Sequence, residues 1–356
     1  MLVAHDYYEA PEGGGRLALI LARELGADLA YGFRAKGHPF FEEPFPGAEV
    51  DLGVRAKAPG LKQYALARAF MKRTEFTQRH EVAIFSGFYS PLAVMAWGAK
   101  KNICYCHTPP RFVYDQRDFY LRRMKPWERP VLTKFIRWFQ PKYELAMKKM
   151  DLVIANSKNV QGRIQKYLAL TAPVVYPPCE VENFRHLEQE GYFLSVARLD
   201  PLKRVDVIVE AFSQMPEKRL KVISCGPDFK KIQKLAKGHD NIEILGPVSE
   251  KRYRDLLERC IASIYIPKNE DFGMTAVESL AAGKPVIASA GGGLEEIINN
   301  RVGVLQKEPS VATLVKTIGK FDPQRGKELR DTCIERAKDF SVEVFSRGIK
   351  RLLNSV

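Results

Sequence analysis

Short apolar runs of β character alternate with amphipathic helical stretches along most of this chain, and the alternation runs through twice. In the first pass strands are expected at 2–5, 28–31, 82–86, 102–106, 152–155 and 174–176, with helices such as 16–25, 61–78 and 158–168 between them. Strands that are apolar throughout and linked by helices belong in a parallel sheet, because the helical crossovers cover both of its faces. The pattern stops at Tyr176-Pro177-Pro178-Cys179, where two prolines fix φ and remove backbone donors. It restarts with strands at 192–196, 220–225, 242–245, 262–266 and 285–288 and helices at 204–212, 228–237, 250–259 and 275–282. The tail from 311 to 353 reads as helices alone. The expected fold class is α/β, with two Rossmann-like, doubly wound parallel-sheet domains facing a central cleft. The boundaries are set at 1–178 and 179–340, with a C-terminal helix at 341–356 that packs on the first domain. Ligands of such sheets bind beyond the C-terminal ends of the strands.

Composition removes several classes. The 356 residues are long enough for two cores, and 46% hydrophobic with 28% charged residues describes a globular chain. No run approaches the roughly 20 apolar residues that cross a bilayer. Met1-Leu2-Val3-Ala4 leads straight into His5-Asp6, without the basic flank and apolar run of a secretory signal, so a cytoplasmic location is expected. The six cysteines, Cys104, Cys106, Cys179, Cys225, Cys260 and Cys333, have no CxxC pairing and read as small buried side chains with no metal site.

The excess of 56 Lys and Arg over 42 Asp and Glu leaves +14, and its location matters more than its size. Residues 1–180 hold 27 basic and 17 acidic residues, so most of the excess lies there. Nine cations fall between Arg122 and Lys149, beside Trp127 and Trp138. This basic, aromatic, helical segment fits an anionic membrane surface, with Arg122, Arg123, Trp127 and Trp138 as the contact residues. The alternative is a solvated helix whose apolar stripe, Val131, Leu132, Phe135, Ile136 and Phe139, faces the core. A nucleic-acid-binding protein is the rival reading of the charge, but no helix-turn-helix, zinc-finger or RNA-binding signature accompanies it.

Chemistry concentrates after the strands of the second half. In Asn269-Glu270-Asp271-Phe272-Gly273-Met274-Thr275-Ala276-Val277-Glu278 a carboxylate follows a buried strand, Gly273 permits close approach of a ligand, and a helix opens with unpaired N–H groups. Two carboxylates eight residues apart can each take the hydroxyls of a vicinal diol, although acids are common at helix starts in any case. Arg198 and Lys203, after the strand at 192–196, could hold a diphosphate. Gly226 lies in a small-residue turn against which a nucleotide could rest. In the first half, Gly14 and Gly15 open a helix where backbone N–H groups could meet a phosphate or sugar, outside any GxGxxG fingerprint. His107 ends the strand at 102–106.

The runs NEDFGMTAVESLAAGKPVIAS and SVARLDPLKRVDVIVEAF, together with CHTPPR, resemble the retaining GT-B glycosyltransferases of glycosyltransferase family 4, and within it the WbaZ-like mannosyltransferase group. The resemblance extends from Glu12 to the tail. It implies that Glu270 binds the transferred sugar, Glu278 the ribose, and Arg198 and Lys203 the donor diphosphate, with Gly14, Gly15, Gly226, Phe272, Gly273, Met274 and Thr275 completing the donor site. It makes His107 and Glu270 the catalytic residues. The implied activity is retaining transfer of a hexose, mannose from GDP-mannose, to a lipid-linked saccharide, with no cofactor or metal, at the cytoplasmic membrane face. Other GT-B sugar-nucleotide enzymes, namely a UDP-sugar transferase, an epimerase or a phosphorylase, are the alternatives. Two departures bear on the donor loop: Ala197 and Arg204 stand where the family usually has glycine.

Overall fold

A computed structural model describes residues 1–355 except Glu43, Lys57 and Pro59. The chain forms two compact units, one from Met1–Tyr176 with the C-terminal segment from Phe345, the other from Pro177–Val344.

The first unit holds β1 (Leu2–His5), β2 (Asp28–Tyr31), β3 (Glu49–Asp51), β4 (Val82–Ser86), β5 (Lys101–Cys106) and β6 (Leu152–Ala155), all parallel, in the order β3-β2-β1-β4-β5-β6. The order reverses direction between β1 and β4, which opens a crevice at the strands' C-terminal ends. On one face the helix Gly13–Leu25 buries Leu17, Ala18, Leu21 and Ala22, and Phe345 and Ile349 of the last helix join the same core. There Phe345 packs edge-on against Tyr105, with ring centres 5.8 Å apart. The other face is covered by Leu66 and Phe70 of the helix Leu61–Lys72 and by Phe135, Ile136, Phe139 and Tyr143 of the helix Arg129–Lys148.

Three local expectations for this unit change. The helix placed at 61–78 ends at Lys72, where the Thr74 hydroxyl bonds back to the Phe70 carbonyl at 2.7 Å and a 3-10 turn, Glu75–Arg79, follows. Residues 174–176 contribute only a single bridge, Val174 to Ala155, because Pro173 and Pro177 flank a segment too short to build a ladder. The short edge strand β3 was not foreseen, since Glu49 and Asp51 give it no apolar run.

The second unit repeats the topology. β7 (Tyr192–Ser195), β8 (Arg219–Ile223), β9 (Ile242–Gly246), β10 (Ser263–Tyr265), β11 (Val286–Ser289) and β12 (Gly303–Gln306) are parallel in the order β12-β11-β10-β7-β8-β9. Its switch point lies between β7 and β10. β12, which the sequence reading left out, forms because Gly303 lets its backbone lie against Val286, whose carbonyl a Cβ would approach to 2.1 Å. Five cysteines are buried as expected, but Cys225 is exposed in the loop after β8. Among the described residues no helix is long and apolar enough to cross a membrane.

Candidate functional site

In the second unit the predicted donor residues collect at the switch point. Lys203, in the loop after β7, donates from Nζ to Glu270 Oε2 at 2.7 Å and to the Tyr265 hydroxyl at 2.9 Å. Tyr265 ends β10 and Glu270 stands in the loop after it, so these contacts tie the two strands that flank the switch point. Burial opposes the Lys203 charge, but Tyr265 and Glu270 more than offset it and hold its pKa above the ordinary lysine value. Tyr265 is itself buried, and this keeps its phenol protonated.

Arg204, beside Lys203, adopts the left-handed region at φ 53°, the conformation that glycine takes without steric cost. Its side chain compensates by donating from Nε to the Ile266 carbonyl at 2.8 Å. The loop therefore keeps a turn suited to glycine although the residue is arginine. At the other departure, Ala197 is buried. The Arg198 side chain is exposed and makes no hydrogen bond or ion pair among the described residues. Of the two predicted diphosphate ligands, then, Arg198 is open to solvent while Lys203 is engaged with Glu270.

The loop carrying Glu270 is fixed from below by glycine. Gly292 stands opposite Glu270 in a parallel bridge, and Gly293 donates to the Glu270 carbonyl at 2.9 Å. A Cβ on Gly292, at φ 77°, would stand 2.2 Å from that carbonyl. Gly273, at φ 117°, turns the chain into the helix Met274–Ala281, and a Cβ there would meet Leu294 at 2.6 Å. Met274 and Thr275 occupy the first turn, both half-buried. Glu278, one turn on, accepts a hydrogen bond at 2.5 Å from Tyr253, whose burial drives its pKa up and keeps the phenol a donor.

Two predicted donor contacts are spoken for by the protein itself. The Phe272 ring is buried edge-on against Phe340, so only its backbone can face a ligand. At Gly226 the close approach is made by Leu199, whose carbonyl would stand 2.3 Å from a Cβ and which bonds to the backbones of Cys225 and Asp228. The glycine lets the loop after β7 lie against the loop after β8.

The first unit gathers its polar residues at its own switch point. His107 Nε2 lies 2.7 Å from Ser86 Oγ, while His5 Nδ1 donates to the Ser86 carbonyl at 2.7 Å. The two imidazoles stand edge to face at 6.5 Å, and Gly14 is packed against both, its Cβ position 3.6 Å from His107 and 3.8 Å from His5. Gly14 and Gly15 are the second and third residues of the helix, so they admit the histidines to its first turn. Burial pushes the His107 pKa down to about 3, with His5 adding to the shift, and that of His5 down to about 4 against its bond to Ser86. Both rings are neutral at pH 7. Asp6, next to His5, accepts from the N–H groups of Phe88, Tyr89 and Ser90 at 2.6–2.8 Å. Burial nonetheless raises its pKa to about 6.

The basic segment divides. Residues Phe135, Ile136 and Phe139 of its stripe face the core, and Trp138 is half-buried against Tyr64, with ring centres 4.7 Å apart. Trp127 is 70% exposed between the helices Arg117–Arg123 and Arg129–Lys148, with Lys125 over its ring at 5.3 Å. Arg122 and Arg123 are exposed.

Sequence reasoning missed Ser86, Tyr265 and Tyr253. The first two end β4 and β10, so a polar or aromatic residue closing a strand next to a switch point was a usable signal. Tyr253 lies on the helix Glu250–Arg259 and nothing local marks it.

Residues 180–340 match the protein-family model described as "Glycosyl transferases group 1". An uncharacterized glycosyltransferase of Methanocaldococcus jannaschii is 30% identical over 56% of this chain and 57% of its own length. A human alpha-1,3/1,6-mannosyltransferase is 25% identical over 75% of this chain and 70% of its own. The match thus spans little more than half of the first of these relatives. Among solved structures, Anabaena HepE in complex with UDP and glucose superposes with a TM-score of 0.77 at 16% identity, covering 100% of this chain and 99% of that one. The chain has the GT-B fold. Within the matched residues, Arg198, Lys203, Glu270 and Glu278 all stand at or beyond the C-terminal ends of β7 and β10.

Proposed function

We propose that this protein transfers a hexose from a nucleoside diphosphate sugar to a glycan or lipid-linked saccharide, with retention at the anomeric carbon. The observation that carries the reading is the Lys203–Glu270 pair at the second unit's switch point, next to the open Arg198 and backed by Glu278 on Tyr253. The donor diphosphate binds Arg198 and the N–H groups opening the helix Met274–Ala281, and it draws Lys203 partly away from Glu270. Glu270 is then freed to accept hydroxyls of the transferred sugar, and Glu278 takes the ribose diol. As the bond from the anomeric carbon to the diphosphate oxygen breaks, the acceptor hydroxyl oxygen bonds to that carbon on the same face and its proton passes to the leaving diphosphate, whose negative charge is met by Arg198 and Lys203, so the step as proposed uses no metal ion. Neutral His107 offers a ring nitrogen to a hydroxyl of sugar or acceptor. Similarity to the mannosyltransferase favours GDP-mannose as donor, and similarity to the UDP-bound structure makes UDP-glucose the alternative. The basic, tryptophan-bearing segment supports peripheral attachment to an anionic cytoplasmic membrane face.

Calorimetric titration with GDP-mannose, UDP-glucose, UDP-N-acetylglucosamine and ADP-glucose tests the reading, followed by NMR of the product's anomeric configuration. One donor should bind, lose at least tenfold in affinity in Arg198→Ala, and turn over equally with and without EDTA. No binding of any donor, or an isomerised sugar nucleotide as product, would refute glycosyl transfer. An inverted anomeric centre would refute retention alone.

A further inference from the structure

A second concave site lies in the first unit, at the end of its sheet away from the histidines' strands. The loop after β3 and one face of the helix Leu61–Lys72 enclose a pocket of about 330 Å³ lined by Val54, Arg55, Tyr64, Arg68, Lys72 and Arg73, with small residues between them. This is within the size range of small-ligand sites, roughly 300–1,000 Å³. Four of the lining residues are cations and none is an acid. Asp51 reaches Arg55 at 3.5 Å, while Arg68, Lys72 and Arg73 have no carboxylate partner among the described residues. Arg73 is braced by a bond from its guanidinium to the Leu52 carbonyl at 2.9 Å, and Arg68 by one to the Tyr64 hydroxyl at 3.2 Å. Guanidinium groups held in this way lose less side-chain entropy when they take a phosphate.

Beside the cations lies an apolar rim. Leu61 is 58% exposed at the start of the same helix, and Val131 is 53% exposed on the helix Arg129–Lys148. The two helices meet here: a Cβ on Gly60 would lie 3.2 Å from Val131, and Tyr64 of the pocket packs on Trp138. A soluble anion would use the cations and leave Leu61 and Val131 in water, whereas a phospholipid at a bilayer surface uses both.

We propose that this pocket binds the phosphate of an anionic phospholipid headgroup, with Leu61 and Val131 entering the interface beside it. The inference rests on the membrane attachment proposed above and gives it a site distinct from Arg122, Arg123 and Trp127.

The test is co-sedimentation of the full chain with phosphatidylcholine vesicles with and without 30% phosphatidylglycerol, taking ~30% as a convenient anionic content. The wild type should bind only the anionic vesicles, and less as salt rises. Arg68→Gln with Lys72→Gln should weaken binding about 25-fold, about fivefold per cation. Lys234→Gln with Lys237→Gln, exposed on the second unit, should not change it. All four positions are exposed, so folding is checked by an unchanged circular dichroism spectrum and melting curve. Wild-type binding that the pocket variant retains would overturn the pocket and leave membrane attachment standing. No binding by the wild type would overturn both. Pyrophosphate titrated calorimetrically supplies the remaining arm: if it binds the wild type but not the pocket variant, and vesicles do not bind, the lipid assignment is overturned in favour of a soluble phosphorylated ligand. Donor binding is measured separately, so none of these outcomes depends on glycosyl transfer.

Discussion

Replacing Lys203 by methionine is the sharpest probe of the second unit, because it keeps the side chain's length and removes its charge. Lys203 and Glu270 are 24% and 16% exposed and separated by 2.7 Å, so the pair is mostly shielded yet not dry. Two unit charges about 4 Å apart at an effective dielectric of about 20 attract by about 4 kcal/mol, before the cost of taking them from water. Removing one partner of a fully buried pair costs about 3–5 kcal/mol, and partial exposure brings the expected loss here to about 2–3 kcal/mol. In a unit of this size that lowers the melting temperature by about 4–12 °C. Glu270→Gln should cost less, about 1–2 kcal/mol, since the amide oxygen still accepts from Lys203. The double variant should be more stable than the sum of the singles by about 1–2 kcal/mol, because the charge stranded by each single change is gone. Melting of the four proteins by calorimetry, following the transition that donor nucleotide shifts, provides the cycle. Additivity within about 0.3 kcal/mol would mean the contact contributes no coupling, and the claim that the donor must loosen this pair would fall with it.

Three further predictions follow from local geometry. Arg204→Ala keeps the left-handed strain, about 1 kcal/mol, and loses the bond to Ile266, whereas Arg204→Gly loses both, so the alanine variant should be the less stable by about 1 kcal/mol in urea melts. An equal or reversed ranking would show that the turn at 204 is not strained. Ser86→Ala strands His107 Nε2 while leaving the carbonyl that holds His5; histidine ¹⁵N shifts should change for His107 alone and turnover should fall about tenfold or more with substrate binding little altered, and restored activity in Ser86→Thr would separate positioning from packing. The pH dependence comes from three groups of the first unit. His5 and His107 have folded pKa values of about 4 and about 3, below the ordinary histidine value, so the unfolded chain binds more protons and stability is lost as pH falls below about 6.5. Asp6, raised to about 6, acts oppositely and regains stability as pH falls through that value. The net effect between pH 6 and 4 is about one excess proton bound by the unfolded chain, or at most about 1.4 kcal/mol lost per pH unit. Asp6→Asn should steepen that slope toward twofold in urea midpoints at pH 6, 5 and 4, and an unchanged or shallower slope would remove Asp6 from the balance.

Local pattern was enough for four strands of the first sheet. The buried runs that became β1, β2, β4 and β6 announce themselves, because a strand covered on both faces must be apolar throughout. The same rule explains the omissions: β3 presents Glu49 and Asp51 at a sheet edge, and β12 depends on a glycine fitting beside β11. For the site, the sequence supplied residue types after the right strands. It could not say that Phe272 turns inward to Phe340, or that Gly226 is filled by Leu199, since both are decided by neighbours distant in the chain.

By itself, then, the sequence determined two doubly wound parallel sheets and placed arginine, lysine and glutamate after the strands of the second. Those are consequences of short-range periodicity and of turns that few residues tolerate. Only the tertiary structure decided that Lys203 spends its charge on Glu270 and Tyr265, 67 and 62 residues away, while Arg198 faces water. It likewise set Ser86 between His5 and His107, and opened a cationic pocket beside Tyr64. Strand order is settled by packing whole helices over whole sheets, and it is strand order that chooses which loop ends become neighbours.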